Sequence, residues 1–193
     1  MKLIKVLLIV AVIFVVVAIA SVVYNSSNFT GFATTSTGEA NLTVESATQI
    51  DFTTAFIDWE SGRVTSGDTE AILDTSAGNI SNGNWTPVTE GFVLENQGNL
   101  NLTIELAAGK TNLTFMGGTD GSYQWNVSNN ETDSCSHADL GDFEEVNSSK
   151  IVCDQFSSIT ASNEIRIDLK LIIPEDSSTG ALTDLITATA TAA

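Results

Sequence analysis

Residues 164–171 alternate between polar and apolar without a break, and Ile173 carries the apolar face on. Ile165, Ile167, Leu169, Leu171 and Ile173 fall on one side, with Glu164, Arg166, Asp168 and Lys170 on the other. A period of two is the signature of a half-buried β-strand. Leu100, Leu102, Ile104 and Leu106 repeat the pattern, as do Tyr123, Trp125 and Val127. From residue 40 onward such signals recur at the short, regular spacing of an all-β domain. They predict strands over 40–46, 49–59, 69–75, 91–96, 99–107, 112–117, 122–128, 150–155, 163–173 and 182–191. Asn96-Gln97-Gly98-Asn99 separates two of them by a hairpin-length gap, and Asn82-Gly83 and Gly117-Gly118 mark further turns. Pro174 ends the longest run, because proline cannot donate to a strand ladder. No helical periodicity of useful length follows Tyr24. Many short strands with no β-α alternation point to an antiparallel sandwich over 39–193.

Ahead of that body stands a segment of opposite character. Residues 6–23 (VLLIVAVIFVVVAIASVV) are apolar except for Ser21, and Lys2 and Lys5 precede them. As a helix, such a run is about 27 Å long, close to the roughly 30 Å hydrocarbon core of a bilayer. The next basic residue is Arg63, an asymmetry that holds the N-terminus inside and sends the chain outward. Ala18-Ile19-Ala20 fits a signal-peptidase site, whereas Val22, Val23 and Tyr24 carry the apolar character past it. Retention of residues 1–24 as a membrane anchor is the expectation, with a cleaved signal as the other fate. Residues 25–38 have the small, polar composition of a stalk.

All 24 acidic residues lie beyond Tyr24, against five basic ones: Arg63, Lys110, Lys150, Arg166 and Lys170. Such a surface repels nucleic acid, and no basic patch offers a phosphate site, so no nucleic-acid partner is expected. Cys135 and Cys153 both sit in the exported part and read as one disulfide. A metal reading through Cys135, His137 and Cys153 lacks a fourth ligand in any usual spacing.

Ten Asn-x-Ser/Thr signals occur, at Asn25, Asn28, Asn41, Asn79, Asn84, Asn101, Asn112, Asn126, Asn130 and Asn147. Chance pairing of Asn with Ser or Thr would supply about three. Polar-apolar-polar is also how a strand presents its outer face, so solubility alone would favour the same triplets. The middle residues of the signals at Asn41, Asn101, Asn112 and Asn126 belong to apolar faces. These four asparagines are therefore expected to face solvent, where a glycan has room.

Signatures of catalysis are missing: no Gly-x-Ser-x-Gly, no His-Glu-x-x-His and no phosphate-cradling glycine loop. The chain is read as non-catalytic. His137, the single histidine, is expected to be a solvated loop residue. No cofactor is required. Asp139, Asp142, Glu144 and Glu145 crowd one loop that suits calcium, set against a plain solvated acidic loop. Trp59, Trp85 and Trp125 offer a sugar platform or core packing, with Trp85 the one expected to be exposed.

The stretches GFVLENQGNLNLTIEL, from Gly91, and IPEDSSTGALTDLITATAT, near the end, resemble immunoglobulin-like modules of prokaryotic surface proteins. In these an N-x-G-N turn joins two middle strands and a P…TG turn leads into the last. With ANLTVES, NGNWTP, YQWNVSNNE and EIRIDLKLIIPEDS, the exported part is similar to small archaeal cell-surface proteins that carry an N-terminal hydrophobic helix. That resemblance implies an all-β, immunoglobulin-like antiparallel β-sandwich ectodomain behind one helix, and no activity. In outline the chain also resembles archaeal pilins and flagellins. It departs from them at Lys5-Val6-Leu7, where a prepilin cut has Gly or Ala after the charge, and in having no Glu near the helix start. The expectation is a structural or adhesive surface glycoprotein, with the membrane as partner through its helix. Self-association into filaments and binding of surface glycans are the alternatives.

Overall fold

The computed structural model describes residues 2–26, 37–137, 140–146 and 149–193, and within the first helix the side chains of residues 4–21. The chain divides into two compact units, Met1–Thr43 and Val44–Ala193. Most of the expected stalk, Asn28, Asn147, Asp139 and the side chain of Asn25 lie outside the described residues.

The first unit contains α1 (Lys2–Ser26). Its window Ile4–Ser21 is long and apolar enough to cross a membrane, and its side chains are exposed all round the helix. The one polar side chain inside the apolar run is satisfied locally, as Ser21 Oγ donates to the Ala18 carbonyl at 2.8 Å. A hydroxyl bonded back to its own turn adds no bare polar group to an apolar surface.

The second unit is almost wholly β. Its strands are β1 (Ile50–Thr54), β2 (Glu70–Asp74), β3 (Asn79–Ser81), β4 (Phe92–Asn96) and β5 (Leu102–Ala108), then, after a four-residue helix α2 (Asn112–Phe115), β6 (Ser122–Asn129), β7 (Cys135–Ser136), β8 (Glu144–Glu145), β9 (Lys150–Phe156), β10 (Glu164–Pro174) and β11 (Ile186–Ala192). They form two antiparallel sheets, one of seven strands and one of four in the order β11-β5-β9-β7. The long β10 organises the larger sheet. Along one edge it pairs with β6, and along the other with β4 through its first half and β2 through its second.

The alternation in residues 164–173 is what builds the core. Ile167, Leu169 and Leu171 sit directly opposite Val127, Trp125 and Tyr123 on β6, all buried. Leu102, Ile104 and Leu106 of β5 and Val152 and Phe156 of β9 complete the same cluster from the smaller sheet. Cross-strand apolar pairs of this kind, closed by a second sheet, are the basis of sandwich stability.

Several expectations need correction. The 96–99 turn is not a hairpin: β4 belongs to the larger sheet and β5 to the smaller, so the chain crosses between sheets there. Asn96 holds the crossing. Its buried amide donates to the carbonyls of Leu100, Phe156 and Ser157, while its Oδ1 accepts from the Gly98 amide at 3.0 Å. Gly98 has no room for a side chain, since a Cβ would lie 2.3 Å from the Ala47 carbonyl oxygen. Residues 112–117 hold α2 rather than a strand. Thr111 and Thr114 form a reciprocal capping box, and Gly117 and Gly118 end the turn at φ of 66° and 77°. Residues 40–46 pair with no strand, and the ladder begins only at Ile50. The last strand starts at Ile186 instead of 182, and β3, β7 and β8 are short strands that the alternation did not announce.

Candidate functional site

Cys135 on β7 and Cys153 on β9 form a disulfide, with their Cα atoms 5.8 Å apart. Both half-cystines are buried, and Cys135 stands opposite Phe156 in the ladder that joins the two strands. β7 is two residues long and gains little from its own pairing, so the covalent tie fixes this end of the smaller sheet. Beside it, His137 Nδ1 lies 2.8 Å from the Asp154 carboxylate, and the imidazole is mostly covered rather than solvated. Loss of the disulfide by Cys135→Ser/Cys153→Ser is expected to lower stability by about 3 kcal/mol through its short loop. Urea unfolding of the two forms checks this.

The seven sequon asparagines whose side chains are described fall into three groups. Asn41, Asn79 and Asn84 are exposed. The only side-chain bond among them is that of Asn84 Oδ1, which accepts from the Arg63 amide at 2.7 Å. Asn101 and Asn130 are exposed, but their amides donate to Gln155 at 3.4 Å and Glu164 at 2.7 Å. Asn112 and Asn126 are turned in, contrary to expectation. Asn112, in the first turn of α2, is half-buried and donates to the Gly121 carbonyl at 2.7 Å. Asn126 is only 9% exposed and donates to the Gly141 carbonyl at 3.1 Å. The cause is residues 141–146, which lie along the free edge of β6 through bonds to Val127 and Tyr123.

A second polar group sits where β10 changes neighbours. Asp168 was expected on the solvent side, yet it is only 4% exposed. Its carboxylate accepts from Arg166 Nε at 2.9 and 3.0 Å, from Nη2 at 2.7 Å and from the Thr75 hydroxyl at 2.7 Å. Arg166 Nη2 also donates to the carbonyls of Thr75 and Thr89. The hydrogen-bonded Asp168 carboxylate raises the Arg166 pKa further, so the guanidinium stays charged. Gly91 lets β4 approach, because a Cβ there would lie 2.6 Å from the Ile167 carbonyl oxygen. The cluster plugs the seam between β2 and β4. The sequence signal for it was a charged pair two residues apart inside the longest apolar strand.

Two further arrangements are local. Burial, and then the nearby Asp184 carboxylate, push the Tyr123 hydroxyl above its ordinary pKa. Thr119 donates its amide and its hydroxyl to Asp176, each at 2.9 Å, which holds that carboxyl below its usual range.

Among the described residues of the acidic loop, the side chains of Glu144 and Glu145 turn to separate partners. Glu144 pairs with Lys150, and Glu145 accepts from Ser122 and Gln124, both from the short strand β8. Among the described residues no three His, Cys, Asp or Glu side chains cluster as metal ligands. Trp85, expected to be exposed, is half-buried with Gly62 and Gly83 against its ring, and Trp59 and Trp125 also pack on the core. No protein-family model matches the chain, and no curated protein or solved structure is significantly similar to it.

Proposed function

We propose that this chain is a non-catalytic structural or adhesive glycoprotein of the cell surface, exported and held at the membrane by α1. The body is read as an immunoglobulin-like sandwich, which the crossing between sheets at 96–99 and the final strand on the smaller sheet support. The observation that carries the reading is α1, whose apolar side chains face outward along the whole of Ile4–Ser21. Such a surface is stable in hydrocarbon and strongly unfavourable in water. The disulfide agrees with an oxidising compartment.

Glycans are assigned to the open sequons. In native material, peptide mass spectrometry is expected to find Asn41, Asn79 and Asn84 modified and Asn126 bare. All sequons bare would remove the glycoprotein part of the proposal, and a glycan on Asn126 would contradict the folded burial of that side chain. The same all-round apolar helix also suits a filament core, as in a pilin-like subunit. Negative-stain images of sheared cell surfaces separate the two, because fibres containing this chain would favour the filament.

A further inference from the structure

The terminal strands of the two sheets are unequal in how they are blunted. Exposed edges invite pairing with other chains, and proteins usually shorten, bulge or charge them. β3 is three residues long, with Asn79 on it and Asn84 just beyond. β7 and β8 are two residues each, and β8 carries Glu144 and Glu145. β1 carries Asp51 and a register shift between Phe52 and Thr54. β11 has none of these features. Its seven residues, Ile-Thr-Ala-Thr-Ala-Thr-Ala, pair with β5 in unbroken register from Ile186 to Ala192. It has no charge, no proline and no bulge, and its far side is unpaired among the described strands.

One segment of the same chain has the complementary character. Residues 40–46 (Ala-Asn-Leu-Thr-Val-Glu-Ser) alternate as a strand does, match β11 in length, and join no strand ladder, their one side-chain tether among the described residues being the Asn99 amide, which donates to the Glu45 carbonyl at 2.9 Å. Leu42 is 89% exposed and Val44 73%. On its inner face β11 offers Ile186, Ala188 and Ala190, which are only partly buried, and Leu185 just before it is 72% exposed. Small residues at a core margin leave unfilled space beside them, and Leu42 and Val44 have the bulk to fill it.

We propose that residues 40–46 of one copy add as a further strand to the β11 edge of a second copy. Leu42 and Val44 then cover the open margin of the core beside Ala188 and Ala190. Asn41, Thr43 and Glu45 point outward with Thr187, Thr189 and Thr191, so a glycan on Asn41 stays in solvent. Backbone bonds along the edge supply affinity, and the alternate side chains set the register. The inference gives the adhesive reading a partner, a second copy of this chain. Its failure would leave the surface-glycoprotein reading standing.

Cysteine cross-linking of the full chain in detergent tests it, since the two native cysteines are already bonded to each other. Asn41→Cys, Thr43→Cys and Glu45→Cys in one tagged form are each mixed with Thr187→Cys, Thr189→Cys and Thr191→Cys in a differently tagged form, under mild oxidant. Bridging requires Cα atoms within about 7 Å, so a diagonal of the nine mixtures reports register and strand direction. Along that diagonal a covalent dimer bearing both tags is expected, at least about ten-fold above either variant alone. Thr43→Pro on a chain carrying one of the other two cysteines is expected to abolish the product while leaving thermal unfolding unchanged. No dimer with both tags in any mixture would overturn the proposal. So would dimers from the β11 variants by themselves, which would mean edge-to-edge pairing of two β11 strands. An internal bridge in a monomer carrying both cysteines on one chain, in place of the dimer, would also overturn it.

Discussion

Replacing Arg166 with methionine is expected to destabilise the β body by about 3–5 kcal/mol, because it strands a buried carboxylate without its counter-charge. Asp168 takes three of its four hydrogen bonds from Arg166, and only the Thr75 hydroxyl would remain to it. The guanidinium also ties the Thr75 and Thr89 carbonyls across the seam, so β2 and β4 would both lose an attachment. A domain of this size has a margin of about 5–15 kcal/mol, so such a loss is a large fraction of it. The companion double variant Arg166→Met/Asp168→Leu separates charge from packing. With no charge left to bury, it is expected to recover much of the loss, as replaced buried pairs often do. Urea midpoints for the three proteins check both statements. Equal losses in the single and double variants would show that shape, and not the stranded charge, dominates at the seam.

Trp125→Ala is the second large effect, also about 3–5 kcal/mol, from the transfer and cavity terms of a fully buried indole. Trp125 is at the centre of β6 opposite Leu169, between the Tyr123 and Val127 pairs. Its indole Nε1 is buried with no acceptor. Trp125→Phe should therefore cost markedly less, since it keeps an aromatic ring and removes a buried donor that has no partner. Calorimetric unfolding of the three forms gives the comparison. A phenylalanine variant as weak as the alanine variant would mean that the bulk of the indole, rather than the ring in general, fills the site.

The core was legible in the sequence for a specific physical reason. Where one face of a strand is buried, its apolar residues recur every second position, and residues 164–173, 100–106 and 123–127 all show it. What alternation does not encode is which neighbour a strand finds, or what covers its other face. Leu42 and Val44 alternate as well as Leu102 and Ile104, yet residues 40–46 are in no strand and both side chains are exposed. Asn126 occupies a polar position on β6 and was read as solvent-facing. Residues 141–146 lie along that strand's edge, and its amide is spent on Gly141. Asp168 fails in the same way, because the outer side of β10 is closed locally where β2 gives way to β4. The crossing at Asn96 reads as a hairpin by its length alone. Only the three carbonyls its amide holds, two of them sixty residues away, show that the chain changes sheets. The Thr111–Thr114 capping box has Thr in place of the Glu or Gln that marks such a box in a sequence, so residues 112–117 read as a strand.

Exportation of an oxidised β body behind a membrane-held helix is the central claim, and protease shaving of intact native cells tests it most directly. Mass spectrometry should then find peptides from residues 44–193 released into the medium, with Cys135 and Cys153 still linked, and peptides from Ile4–Ser21 retained in the membrane fraction. A body protected until the cells are broken, recovered from the cytosol with both thiols free, would contradict the account.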